Sequence, residues 1–171
     1  DPSTKKTYEA GIESMPSESV CYPAKMSHGH VMNLIDRDVD FIWMPCVRWE
    51  RKEDPTAGNC YNCPIVMSYP TALALNIDEI REQNIEFLYP FVPYHDKTEL
   101  KRRLYQVLAV DRVADAEAGR GRVRGPKITR SEVDAAVNVA FEADARFHED
   151  IQTMGEEALK WVEDHGGHGI V

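Results

Sequence analysis

The sequence predicts an α/β fold: a small parallel sheet with flanking helices in Rossmann-like layers, followed by a long C-terminal helix. Two mostly apolar segments of strand length, residues 39–44 and 85–89, are separated by a helical segment, and each leads into a proline. Apolar residues then recur at helical spacing over residues 133–162. Strands that alternate with helices at this spacing are typical of parallel pairing.

The first third of the chain predicts two helices. Residues 3–11 form the first, with Ser3 as its N-cap, and residues 18–20 form a short extended piece. Pro23 suits the first turn of a second helix that ends near Asp36. The first strand follows this helix.

The middle of the chain continues the alternation. A polar segment, residues 48–62, predicts a long loop of the kind that often serves a site. Residues 65–75 predict a helix that breaks or restarts at Pro70. After the second strand, residues 96–108 predict a helix capped by Asp96.

The predicted organisation has four parts. Residues 1–109 form an α/β core that carries the cysteines, and residues 110–127 form a flexible linker rich in Gly, Ala and Arg. Residues 128–166 form a long helix, opened by a capping box, that packs on the core. Residues 167–171 begin a following strand, and we expect the chain to be a fragment of a larger protein. No internal repeat is evident.

Composition limits the function classes. The 171 residues include 20 Lys and Arg against 29 Asp and Glu, a formal net charge of −9, and 43% are hydrophobic. Such a chain can bury a core without disulfides, and its charge argues against nucleic acid or an anionic membrane as a partner. Without a long apolar segment or a signal peptide, the prediction is a cytoplasmic protein.

All four cysteines lie in the first 63 residues, and they form the most informative cluster. In a reducing compartment such thiols more often bind metal or carry redox chemistry than form disulfides. Cys21 and Cys46 directly follow predicted strands, and Cys63 precedes a helix that starts at Pro64. Parallel strands gather sites at their carboxyl ends, and a helix N-terminus favours thiolate over thiol. We therefore expect Cys21, Cys46 and Cys63 to lie close together.

Several chemistries fit these cysteines. Tetrahedral zinc and an iron–sulfur cluster both use three or four thiolates, and one Cys60-x-x-Cys63 pair with two distant single cysteines favours the cluster. A thiol–disulfide couple in the pair is another alternative, although the pair follows a long loop instead of a strand. Four unrelated buried thiols are the remaining alternative.

Other polar residues lie near the cysteines in sequence. His28 and His30 are two residues apart on a helix, so they do not easily share one ion, and they form either a packed pair or part of the cysteine surroundings. Lys25 and Glu50 also belong to these surroundings. No Walker or dinucleotide-binding motif is present, so no ATP site is expected.

Four motifs together resemble one known family. They are PSESVCYPAK at residues 16–25, HGH at 28–30, DFIWMPC at 40–46 and YNCP at 61–64. Over nearly the whole chain the sequence resembles the uncharacterised domain of CoA-substrate-specific enzyme activases. These proteins are related to the activators of 2-hydroxyglutaryl-CoA dehydratase, and the motifs are similar to those of cluster-bearing 2-hydroxyacyl-CoA dehydratase subunits.

The resemblance implies an oxygen-sensitive iron–sulfur system of anaerobes, in which an ATPase activator passes a low-potential electron to a cluster-bearing partner. It implies that Cys21, Cys46 and Cys63 hold a 4Fe–4S-type cluster, with Cys60 a less secure fourth ligand. The ATPase domain of the same or a partner protein is the implied partner, and a homodimer is also open. The module is not expected to be catalytic alone. A zinc or interaction module, and a thiol–disulfide oxidoreductase, stay open as alternatives.

Overall fold

The computed structural model describes residues 2–52, 54–119 and 127–169, and it divides into two compact units, Asp1–Ile128 and Thr129–Val171. The second unit contains one long helix, α7 (Arg130–His165). The helices of the first unit are α1 (Lys5–Gly11), α2 (Tyr22–Ile35), α3 (Pro64–Asn76), α4 (Asp78–Glu82), α5 (Lys97–Tyr105) and α6 (Arg112–Glu117). Its strands are β1 (Ile42–Trp43), β2 (Cys46–Val47), β3 (Phe87–Leu88) and β4 (Phe91–Val92). The α/β class with small parallel sheets and a long C-terminal helix is confirmed.

The four short strands form one parallel ribbon with an interruption. β1 pairs with β3 and β2 pairs with β4, and every pairing joins residues 45 positions apart. The amides of Ile42, Met44 and Cys46 donate to successive carbonyls of the partner segment at 2.9 Å. Pro90 has no N–H to return a bond to Met44, which accounts for the gap between the two ladders.

This ribbon is the centre of a tandem αβ repeat, although no repeat is evident in the sequence. α2 leads into β1 and β2, and α3 with α4 leads into β3 and β4. A cysteine is the N-cap of both α2 and α3. The strands IWMPCV at residues 42–47 and FLYPFV at 87–92 match in register.

The hydrophobic core of the first unit lies between α2, the α3–α4 pair and β1. Its buried members are Ala24, Val31, Ile35, Ile42, Tyr69, Leu73, Ile77 and Ile80. α1 crosses α2 at Gly29, where a Cβ atom would stand 1.7 Å from the carbonyl oxygen of Thr7. The middle residue of the His-Gly-His motif is therefore needed for close helix packing.

The N-terminal segment differs from the prediction in two places. Thr4 is the N-cap of α1 instead of Ser3, and its hydroxyl accepts the Thr7 amide at 3.2 Å. Residues 18–20 are not extended, because the hydroxyl of Ser17 accepts the amide of Ser19 at 3.2 Å and closes a turn. No strand therefore precedes Cys21 within residues 2–20.

The predicted break of the third helix at Pro70 is not found. α3 continues through Pro70, whose ring is buried. Proline removes one intrahelical donor, but burial of the ring offsets part of that loss.

The first residues of the predicted linker 110–127 are helical. A π-helical segment, Gln106–Asp111, joins α5 to α6. On α6, Arg112 is 6% exposed and donates two hydrogen bonds, at 2.6 and 2.7 Å, to the Glu86 carboxylate. Its guanidinium also lies 4.4 Å from the ring centre of Phe41. These contacts anchor α6, and residues 120–126 of the linker lie outside the described residues.

The long helix α7 spans Arg130–His165, within the segment 128–166. The Thr129 hydroxyl accepts the Glu132 amide at 3.3 Å, and the Glu132 carboxylate accepts the Thr129 amide at 2.8 Å, which completes the capping box. Gly166, at φ 62°, ends the helix. Packing of α7 on residues 1–109 stays a prediction. Residues 167–169 are irregular, and the rest of the predicted strand 167–171 lies outside the described residues. Within the described ranges, no helix has both the length and the apolar character of a membrane span.

Candidate functional site: two equivalent cysteines at helix starts

Cys21 and Cys63 occupy the same position in the two halves of the repeat. Each is an N-cap, with φ −61° and ψ 152° at Cys21 and φ −63° and ψ 153° at Cys63. Their carbonyls accept the first helical bonds, from Lys25 at 3.1 Å and from Met67 at 3.2 Å. Both cysteines are exposed, and the Cys63 sulfur accepts the amide of Val66 at 3.4 Å. Two exposed thiols thus stand at the positive ends of α2 and α3.

Cys46 has a different environment. It lies inside β2 instead of after a strand, and it is 1% exposed. Burial raises the pKa of its thiol, and hydrogen bonds from the hydroxyl and amide of Thr71 offset only part of that increase. The thiol form is therefore favoured at neutral pH, which makes Cys46 the least suited of the four to metal binding.

The predicted convergence of three sulfurs is not found in the described ranges. Across residues 2–52, 54–119 and 127–169, no three His, Cys, Asp or Glu side chains are close enough to hold a metal ion together. Thus Cys21, Cys46 and Cys63 do not form a ready ligand set. Cys21 and Cys63 are exposed at helix starts, but these residues do not form a complete cluster site.

Cys60 lies near the end of the loop that follows β2. The loop folds back on itself through an antiparallel bridge between Trp49 and Tyr61, and the Cys60 carbonyl accepts the Glu50 amide at 3.0 Å. The Asn62 side chain donates to the Glu50 carboxylate at 2.9 Å. Cys60 is half-buried, and all four cysteines are free thiols.

A buried hydrogen-bond chain connects α1, α2 and α3. The Ser14 hydroxyl donates to the Gly11 carbonyl at 3.0 Å, so its oxygen accepts from Nδ1 of His28 at 2.8 Å. Nε2 of His28 is then an acceptor, and the Tyr69 hydroxyl donates to it at 2.8 Å. His28 is fully buried, and this burial lowers its pKa. The ring is therefore neutral with its proton on Nδ1.

Tyr69 connects this chain to the surroundings of Cys21. Burial raises the pKa of Tyr69, and the Coulombic interaction with Cys21 raises it further. Sequence reasoning assigned His28 to the cysteine surroundings but missed Tyr69 and Ser14. No local signal identifies Tyr69, because its partner His28 lies 41 residues away in the sequence.

The other predicted neighbours have separate roles. Nε2 of His30 lies 3.0 Å from the Ser3 hydroxyl, so the two histidines have different partners as expected. Lys25 contributes its amide to the Cys21 carbonyl. The Glu50 carboxylate holds the loop by accepting the side-chain amide of Asn62. Burial of Tyr94 raises the pKa of its hydroxyl, and the charge of Glu50 raises it further.

Comparison with known proteins gives one match to a family model. The model is described as the CoA enzyme activase uncharacterised domain, and it covers residues 1–171. Neither the curated proteins nor the solved structures contain a match. The family finding confirms the resemblance that the cysteine motifs indicated.

Proposed function

Because the chain belongs to the family of the CoA enzyme activase uncharacterised domain, we propose that it is an iron–sulfur-binding electron-transfer module of an activase or a 2-hydroxyacyl-CoA dehydratase-like system. Its family gives it an activase-related role. We place it in the cytoplasm beside an ATPase activator domain that supplies the electron. The observation that carries the proposal is the equivalence of Cys21 and Cys63, two exposed thiols at the starts of α2 and α3.

The chemistry of helix starts supports the choice of these two cysteines. Free N–H groups and the helix dipole favour an anion at an N-cap, and the Val66 amide already donates to the Cys63 sulfur. Thiolate is the form that binds iron, so an exposed thiol in this setting is a better ligand than the buried Cys46.

Further ligands need another source, because no three His, Cys, Asp or Glu side chains come together among the described residues. We place them on a second copy of the chain or on the activase partner. A cluster of 4Fe–4S type held between two chains would use the same pair from each copy. This arrangement agrees with the homodimer left open by the sequence.

Anaerobic reconstitution with ferrous iron and sulfide tests the proposal. We expect charge-transfer absorption in the visible region and bound iron in the wild type, and a large loss of both in Cys21→Ser and Cys63→Ser. Cys60→Ser is the matched control, since it changes a thiol three residues from Cys63 and should keep most of the iron. No iron uptake by the wild type would contradict the proposal. Zinc retained after aerobic purification, with a fall in melting temperature on chelation, would support the zinc module instead.

A thiol–disulfide oxidoreductase is the second candidate. Cys63 accepts an amide at a helix start and Cys60 lies three residues before it. The Cys63 thiolate would attack a substrate disulfide and release one substrate thiolate, and the Cys60 thiolate would then attack the mixed disulfide and release the other. The substrate is reduced to two thiols while the pair is oxidised to a disulfide. Disulfide reduction lost in Cys60→Ser and Cys63→Ser but kept in Cys21→Ser would favour this candidate.

A further inference from the structure

A separate cavity of about 450 Å³ lies beyond the carboxyl ends of β2 and β4. The residues that matter in its wall are Arg48, Trp49, Phe91, His95, Arg102 and Arg103. Ligands of open α/β sheets commonly bind outside the carboxyl ends of parallel strands, and small-molecule sites have volumes of about 300–1,000 Å³. None of the four cysteines lines this cavity, so its use is independent of the proposed cluster.

One wall of the cavity is aromatic. The ring centres of Trp49 and His95 are 5.4 Å apart at 78°, and Tyr61 contacts the same indole at 5.4 Å. Phe91, the β4 residue paired with Cys46, is 58% exposed beside them. The Trp49–Tyr61 bridge fixes the backbone behind the indole. A flat ring would find a wall already held in place.

The other wall carries guanidinium groups. Nε of Arg103 donates to the Phe91 carbonyl at 3.2 Å, which keeps this side chain against the cavity. Arg102 pairs with Glu99 at 2.8 Å, but both side chains are about half exposed or more, so the pair is weak and can give way to a ligand.

Arg48 is the arginine most available to an anion. Its guanidinium lies 5.2 Å from the Trp49 ring centre, and it makes no ion pair with a carboxylate of the described residues. Of the two carboxylates that line the cavity, Asp96 already caps α5 by accepting the amides of Thr98 and Glu99. Three arginines and two carboxylates thus line the cavity, in a chain whose net charge is −9.

We propose that this cavity binds a small oxyanion that carries a flat ring, such as an aryl acid or a nucleoside phosphate. The ring lies against Trp49, Phe91 and His95, and the oxyanion is held by Arg48 with Arg102 and Arg103. Guanidinium groups bind carboxylate and phosphate through paired N–H donors, and aromatic rings stack on indole. Aryl acids and nucleoside phosphates share this combination of a flat ring and an oxyanion, and the choice of probes distinguishes the two ligand classes.

Fluorescence of Trp49 reports directly on the cavity. The chain has three tryptophans, so Trp43→Phe with Trp161→Phe leaves Trp49 as the reporter. The probes are AMP, phenyl phosphate and benzoate, with inorganic phosphate and adenosine as the two halves of a ringed anion. We expect at least one ringed anion to bind about tenfold or more tightly than either half. Preference for AMP identifies a nucleotide site, and preference for an aryl anion identifies an aryl-acid site.

Arg48→Gln should weaken binding of the preferred probe by about tenfold or more, and added salt should weaken this binding further. Arg81→Gln is the control, because Arg81 is also an exposed arginine but does not line the cavity. Calorimetric titration of the unsubstituted protein gives the same test if the reporter background does not fold. The proposal is overturned if every ringed anion binds no better than its halves, or if Arg48→Gln binds the preferred probe like the wild type.

Discussion

Replacing Gly29 by alanine tests the packing of α1 on α2. The added Cβ would stand 1.7 Å from the Thr7 carbonyl oxygen and 2.6 Å from its carbonyl carbon. An ordinary carbon–oxygen contact is about 3.3 Å or longer, so the two helices must separate by roughly 1.5 Å. Gly11 of α1 also packs closely against α2, since a Cβ added at Gly11 would stand 2.4 Å from the Gly29 amide nitrogen. The two helices therefore cannot easily shift along each other to relieve the clash.

The magnitude follows from two opposing effects. Overpacking of this kind typically costs about 1–3 kcal/mol, and here the clash is with backbone, so the upper end applies. Alanine recovers about 1 kcal/mol of helix propensity. The net loss should be about 2 kcal/mol, or roughly 4–8 °C in melting temperature for a chain of this size.

Urea denaturation followed by circular dichroism measures this change. Gly155→Ala is the matched control, because Gly155 lies inside α7 with nothing within 4 Å of an added Cβ. It should raise helix stability by up to about 1 kcal/mol, opposite in sign to Gly29→Ala. A Gly29→Ala protein as stable as the wild type, or more stable, would refute the packing argument.

Three further predictions concern single residues. Burial lowers the pKa of His28. The neutral ring therefore contributes its full stability above the ordinary pKa of about 6.5, and this contribution is lost as the pH falls below that value. His28→Gln should flatten this part of the plot of urea-unfolding free energy against pH. Arg112→Met leaves the Glu86 carboxylate unpaired and should cost about 3–5 kcal/mol, while Arg112→Met with Glu86→Leu should recover most of it, as measured by urea denaturation. Thr129→Ala should cost about 1 kcal/mol through loss of the α7 cap, and an unchanged helical signal on heating would contradict this.

Local signals predicted several elements correctly. Asp96 caps α5 by accepting two amides, and Pro64 places Cys63 at the start of α3. These features depend on residues within one helical turn. The sequence therefore contains nearly all the information that determines them.

Pro45 after an apolar segment indicates the end of a strand, and this prediction places Cys46 beyond the strand. In the ribbon, the amides of Met44 and Cys46 point to the partner strand, so the position between them points away. Proline has no N–H, but none is needed at that position, and the strand continues to Val47. The predicted strand-end setting of Cys46 is therefore wrong.

Long-range contacts account for the remaining differences. Arg112 reaches Glu86 across 26 residues, and this ion pair holds a helix where composition indicated a linker. The partnership of His28 with Tyr69 crosses 41 residues. Neither partner can be identified from local periodicity.

Alkylation of each cysteine, followed by mass spectrometry with and without anaerobic iron and sulfide, tests the central claim most directly. In the metal-free protein, Cys21 and Cys63 should react first and Cys46 last, because Cys46 is 1% exposed. Reconstitution should then protect Cys21 and Cys63 while Cys60 keeps its reactivity. Equal reactivity of Cys46 and Cys21, or iron protection of Cys60 with Cys21 and Cys63 still labelled, would contradict the assignment of the paired helix-start cysteines.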